Sequence, residues 1–161
     1  MDLDETPQLD RDVVLVRTMR AEDRNAVVQI DALCMGRRRD RFLDAKIKEA
    51  LGGAGIATSL VAEIDEHVVG FLLGNVYYGE FGVVEPAAVL DVLGVHPDYR
   101  GRQAASALID QLRTNLLGLG IRRLHTQVRW TNTKLLGFFQ HEGFEIAQRM
   151  ALTLDLDKTR T

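Results

Sequence analysis

The stretch AAVLDVLGVHPDYRGRQAASAL constrains this chain more than any other. An apolar, β-rich run is closed at Pro97, and from Gln103 the pattern turns helical, with Leu108, Leu112, Leu116 and Leu119 on one side. A strand delivered through a short turn into a long helix belongs to a mixed α/β sheet. The first turn of that helix offers N–H groups with no helical partner and about half a unit of positive charge, so it can hold a phosphate or pyrophosphate without a metal. Arg100 and Arg102 stand at this entrance, and Gly101 lets the main chain approach a ligand closely. An Arg-Gly-Arg turn can also simply join a strand to a helix, and the spacing alone leaves both readings open.

The rest of the chain supplies the partners such a strand needs. VVLVRTM reads as a strand, and a helical stretch follows with Val27, Ile30, Leu33 and Cys34 on its apolar side. GRRRDRFLDAKIKEALGG carries Phe42, Ile47 and Leu51 and stops at Gly52 and Gly53; its basic start suits a solvated surface, with phosphate attraction as the alternative. SLVAEI and HVVGFLLGNVYY, joined by Asp65 and Glu66, have the pattern of a β-hairpin. After the long helix, which ends at Gly118 and Gly120, come the strand-like RRLHTQV and a short helix in TNTKLLGFFQHEGF with a Thr or Asn cap and a stop at Gly143. A last strand is expected across residues 144–156. The order β, α, α, β, β, β, α, β, α, β contains no internal repeat and no Pro-rich linker.

With 161 residues, 46% apolar and 27% charged, the chain is sized for one globular domain, expected over residues 13–156. An acidic, disordered lead-in over 1–12 and a tail over 157–161 complete the expectation. The opening MDLDETPQLDRD lacks the basic and then apolar start of a secretory signal. No apolar run approaches the roughly 18 residues needed to cross a bilayer. Twenty Lys and Arg against 23 Asp and Glu give a net charge of -3, so no global field favours nucleic acid. Cys34 is the single cysteine, which excludes an intrachain disulfide and a cysteine zinc cluster and fits a reducing cytoplasm. His67, His96 and His125 lack ligand spacing, so no metal is expected.

PDYRGRQAASAL resembles the acyl-CoA signature of the GNAT superfamily of N-acyltransferases, with Arg100 and Ala105 at its outer positions. NTKLLGFFQHEGF is similar to that family's C-terminal motif, with Asn132, Leu135, Phe138, Phe139, Gly143 and Phe144 in register. The resemblance extends over the element order from Val13 to Leu156. It implies a mixed, mostly antiparallel sheet flanked by helices, with splayed central strands. It also implies acetyl-CoA as acyl donor, its diphosphate on the amides of Arg102, Gln103, Ala104 and Ala105 with charge from Arg100 or Arg102. The pantetheine arm would lie along residues 90–95, and the Val95 amide would serve as oxyanion donor. Losing such a donor costs about 2.7 to 4 kcal/mol in other acyl-transfer enzymes.

Two residues depart from the family pattern. Gln103 stands where a glycine is usual; helical dihedrals there would let its side chain point outward. Phe139 replaces a tyrosine often assigned to protonate the departing thiolate. A thiol pKa near 8.5 makes thiolate an adequate leaving group without it. Tyr99 and His141 are substitutes on paper, with structural or solvated roles as their simpler reading.

Amine attack requires the neutral form, which costs a lysine-type amine about 4.6 kcal/mol at pH 7 and an α-amino group about 1.1. Asp91 is the first candidate base, since an apolar run would raise its pKa if it were buried; Glu80, in the YYGEFG loop, is the second. Tyr77, Tyr78, Phe81 and Trp130 suit either an acceptor wall or core packing. The implied acceptor is an amine on a small molecule, peptide or protein, with no nucleic acid or membrane partner, and the family makes a homodimer reasonable. Gln103 and Phe139 together motivate the alternative of a non-catalytic acyl-CoA-binding regulatory module. A nucleotide-dependent oxidoreductase is disfavoured because RGRQAAS offers one of the three spaced glycines required.

Overall fold

The computed structural model describes residues 13–53, 57–101 and 103–158, apart from the side chain of Glu80. The lead-in 1–12 and Arg102 lie outside the described residues, as does the end of the tail. The described residues form two compact units divided after Gln127.

The first unit is a five-stranded sheet in the order β1 (Leu15–Thr18), β2 (Ser59–Ile64), β3 (His67–Tyr77), β4 (Ala87–Val95) and β5 (Leu124–Thr126). Every neighbouring pair is antiparallel except β4 and β5. Those two are joined through α3 (Ala104–Gly118), and such a helical crossover returns the chain parallel. β2 and β3 form the expected hairpin. Asp65 and Glu66 both take positive φ, 49° and 64°, which gives the turn the twist of its strands although neither residue is glycine.

Alternation along the strands separates two apolar faces. Val61, Phe71 and Leu73 pack with Val27 and Ile30 of α1 (Arg24–Met35) and with Leu43 and Ile47 of α2 (Asp40–Leu51). The opposite face meets α3, where Leu108, Ile109, Leu112 and Leu116 are buried at about 2 kcal/mol each. Leu119, expected on that side, falls just past the helix end and is exposed. No helix among the described residues is long and apolar enough to cross a membrane.

The second unit contains α4 (Thr133–His141). The Asn132 side chain accepts from the Leu135 N–H at 3.2 Å, and Gly143 follows with φ 98°, so cap and stop stand where the sequence sets them. The strand expected over 144–156 is absent among the described residues. The alternating apolar residues Met150, Leu152, Leu154 and Leu156 are 81 to 91% exposed. A strand forms only against a neighbouring edge, and sequence alternation does not supply that edge.

Candidate active site

The site is built on β4. Leu73 pairs with Val92 and Gly74 with Leu90, which leaves Asp91 as an extra residue, a β-bulge. A bulge turns two successive side chains to one face. Val92 packs against the α1–α2 core, and the Asp91 carboxylate meets the Lys46 ammonium of α2 at 3.2 Å. Asp91 is therefore ion-paired at the surface of α2 and lacks the buried apolar setting expected from the sequence. Burial acts to lower the Lys46 pKa, but the hydrogen bond to Asp91 and the charges of Asp91, Glu49 and Tyr77 outweigh it and leave it above its ordinary value. Lys46 also stands 3.9 Å from Glu49, which accepts a hydrogen bond from Asn75.

β5 accompanies β4 only from Ala88 to Leu90, where Thr126 Oγ1 donates to the Leu90 carbonyl at 3.0 Å. Beyond that point, among the described residues of the first unit, the outer edge of β4 has no strand beside it. Asp91 is an exposed residue whose side chain keeps only 20% of its area, so its main chain is what faces out. The His96 N–H donates inward to the Val69 carbonyl at 2.7 Å. Because main-chain groups alternate in direction along a strand, the Val95 N–H and C=O point away from β3, toward the open edge. Its carbonyl accepts from the Cys34 thiol at 3.3 Å.

The chain then turns at Pro97–Tyr99, where the His96 ring accepts from the Asp98 N–H at 3.1 Å, a turn role and not a ligand role. Arg100 is exposed and leans its guanidinium on Cys34 Sγ at 3.6 Å. Gly101 takes φ 81°. Gln103 takes φ 65° and ψ 13°, the left-handed conformation and not the helical one that would let its side chain point outward. The backbone here adopts what glycine adopts freely, so the family's usual residue has a conformational reason at this position. The Gln103 carbonyl accepts from the Ala107 N–H at 3.0 Å, and no side chain caps α3. The amides of Ala104 and Ala105 thus have no helical acceptor, a donor set that suits a diphosphate. A depression of about 250 Å³ lined by Val14, Gln103, Ser106, Ala107 and Asp110 adjoins this helix start.

The other sequence candidates lie on separate elements. Glu80 lies in a turn with Phe81 at φ 53°. Tyr78, Phe81 and Trp130 are exposed, and Tyr77 is half-buried at the end of β3. In the second unit, Asn132 serves as the α4 cap and Phe139 is buried, its ring 5.4 Å from Phe138 and 4.8 Å from Phe144. Among the described residues, no group of three or more His, Cys, Asp or Glu gathers where a metal ion would sit. Sequence reasoning missed Lys46 and the contacts of Cys34; the Val95 and Asp91 partners sit on helices far away in the chain, and no local spacing announces them.

The sequence profile of the Acetyltransferase (GNAT) family matches residues 24–144, most of the chain. The chain belongs to the GNAT acetyltransferase family. This GNAT chain is 36% identical over 93 residues to "Acetyltransferase ECA0875" of Pectobacterium atrosepticum, a match covering 58% of this chain and 61% of that protein. It thus spans about six-tenths of that curated relative's length. Among solved structures, aminoglycoside N-acetyltransferase AAC(6')-Iy in complex with CoA has the same fold, with a TM-score of 0.75 at 20% identity over 90% of this chain and 96% of that one. Ribosomal-protein-alanine N-acetyltransferase from Brucella melitensis biovar Abortus gives 0.70 at 19% identity over 89% and 99%. The open five-stranded, mostly antiparallel sheet with its flanking helices is therefore the GNAT fold.

Proposed function

We propose that this GNAT chain is an N-acetyltransferase that moves an acetyl group from acetyl-CoA to a primary amine by direct transfer in a ternary complex. The observation that carries this reading is the continuity of an outward-facing Val95 N–H, an unaccompanied β4 edge and an uncapped α3 start. Acetyl-CoA supplies an activated acyl carbon bonded to sulfur. The Ala104 and Ala105 amides and Arg100 hold its paired phosphates, and the open edge from Leu90 to Val95 receives its amide-bearing arm. The Val95 N–H stabilises the negative charge that develops on the acyl oxygen. The amine nitrogen bonds to the acyl carbon, the C–S bond breaks, and sulfur leaves as thiolate.

Asp91, held by Lys46, is the first candidate for accepting the amine's proton, directly or through water, with Glu80 as the second. The acceptor is an amine-bearing small molecule, peptide or protein, in keeping with the range of relatives that share the fold. We place the reaction in the cytoplasm and leave a homodimer as part of the proposal. The left-handed Gln103 and the hydroxyl-free Phe139 favour a second reading, a non-catalytic acyl-CoA-binding module.

Isothermal titration with acetyl-CoA, followed by CoA release across an amine panel, tests both. Ala105→Glu sets a carboxylate against the phosphates and should abolish binding. Unchanged affinity removes this turn from the site, and binding without turnover on a broad panel leaves the module.

A further inference from the structure

The loop between α1 and α2 carries more positive charge than its neighbours neutralise. Gly36 ends α1 with φ 74°, and the chain continues Arg37, Arg38, Arg39, Asp40, Arg41, Phe42. Arg39 donates to both oxygens of the buried Asp31, at 2.9 and 2.6 Å, with its guanidinium 4.6 Å over the Phe42 ring. Arg38 donates to both oxygens of Asp40, at 2.9 and 2.8 Å. Arg24 takes Asp44 at 2.8 and 3.1 Å. Three carboxylates thus occupy three of the five arginines gathered here. Arg37 and Arg41 are left exposed, with no hydrogen bond or ion pair among the described residues. Both line one depression of about 570 Å³ that has Phe42 as its apolar wall.

The same loop is tied at both ends to the reacting strand. Cys34, three residues before Arg37, bonds the Val95 carbonyl, and Lys46, five residues after Arg41, bonds Asp91. The depression therefore belongs to the helix pair beside β4, away from the uncapped start of α3 on the opposite face. A guanidinium presents a planar fork of donors that fits a carboxylate or phosphate in two parallel bonds, and it stays charged at every physiological pH. Asp40 also lines the depression, but Arg38 and Arg24 already hold its carboxylate, so the two remaining forks form a local anion site in a chain whose net charge is -3. They would repel a polycationic acceptor.

Resting on the acetyltransferase reading, we propose that Arg37 and Arg41 anchor a carboxylate or phosphate group of the amine acceptor, so that the substrate class is anionic amines. Phe42 then covers the apolar part of that acceptor, and the two contacts set which amine is presented to β4.

The test uses the full chain in two arms. In the first, inorganic phosphate and succinate are titrated while the arginine Nε–H signals are followed by NMR. The signals of Arg37 and Arg41 should shift saturably in the low-millimolar range and lose that response in R37A/R41A. In the second, acetyl transfer is compared between carboxylate-bearing amines, their amidated counterparts and phosphorylated amines. Transfer should favour the anionic members, and R37A/R41A should raise their KM about tenfold or more. R37K/R41K, which keeps charge but not the fork, should fall between. Unchanged acetyl-CoA affinity in R37A/R41A, with an unfolding midpoint near the parent's, separates an acceptor site from a cofactor site.

Absence of saturable shifts, equal use of amidated amines, or loss of acetyl-CoA affinity in R37A/R41A overturns the proposal. If the parent chain itself fails to bind acetyl-CoA, the transferase reading falls, while the anion titration still decides whether the site exists.

Discussion

The Lys46 ammonium of α2 holds the Asp91 carboxylate of the β4 bulge at 3.2 Å. The Lys46 pKa lies above its ordinary 10.5, so the ammonium's contribution to the pair is fully present below that value and is lost as pH climbs through the raised one. Across the neutral range the ammonium stays charged. If Asp91 accepts the amine's proton, Asp91→Asn should lower kcat/KM by about 100-fold or more, and an unaltered rate transfers the role elsewhere. Lys46→Met should cost under about 1 kcal/mol, since water reaches both partners, and lower the midpoint of thermal unfolding by about 3 °C or less.

Gln103 occupies the left-handed region at φ 65° where its β-carbon crowds the following carbonyl, a cost of about 1 to 2 kcal/mol. Gln103→Gly removes that strain but adds unfolded-state entropy, so the net gain in stability should be about 0.5 kcal/mol. The same change removes a side chain from the approach to the Ala104 and Ala105 amides, and acetyl-CoA affinity should rise. Chemical denaturation and titration calorimetry read the two effects separately. A weaker-binding, less stable Gln103→Gly variant would mean that the glutamine contributes a contact of its own.

Much of this architecture follows from spacing a reader can count. Leu108, Leu112 and Leu116 recur once per turn and end up buried together, and Asp65-Glu66 between two apolar runs makes the hairpin. Asn132 three residues before Leu135 caps a helix because a side-chain oxygen reaches an amide at that distance. What escaped depends on partners remote in sequence. The bulge at Asp91 is a property of how β3 registers on β4, and Lys46 meets Asp91 only because α2 crosses that bulge. The Gln103 dihedrals are set by the exit from the turn, not by glutamine's own preference. The 150–156 stretch shows the limit in reverse, since Met150, Leu152, Leu154 and Leu156 alternate as a strand's residues do and yet stand exposed.

Gly94 faces the ring of Phe71 on the neighbouring strand, and a β-carbon there would lie 2.6 Å from Phe71 Cε1. Phe71 is fully buried in the core, so its ring can withdraw only by displacing its neighbours. Gly94→Ala should therefore destabilise by about 1 to 3 kcal/mol through overpacking. It should also lower acetyl transfer, because the displaced strand carries Val95. Gly79→Ala, where no atom lies within 4 Å, is the control for backbone strain alone, its φ being 72°. A Gly94→Ala variant as stable as the parent would mean that Phe71 yields without cost.

Asp23 ties the entry to α1 to the sheet edge. Its oxygens accept from Arg17 Nη1 and Nη2 at 2.8 and 2.7 Å and from the Arg20 N–H at 2.7 Å, while Arg17 Nε reaches Glu63 at 2.8 Å. Burial works to raise the Asp23 pKa, but the Arg17 and Arg20 hydrogen bonds and charges outweigh it and leave the carboxyl below its ordinary 3.8. A carboxyl depressed in the folded state stabilises it above the unfolded value and loses that contribution as pH falls through the folded one. The parent chain should thus lose stability below about pH 4, and Asp23→Asn should flatten that slope while lowering stability at pH 7. With Arg17 a quarter exposed and still bonded to Glu63, the neutral-pH loss should be about 2 kcal/mol, below the 3 to 5 of a fully buried broken pair. Urea unfolding at pH 7 and pH 3 gives both quantities, and an Asp23→Asn slope as steep as the parent's would assign the acid sensitivity to another carboxylate.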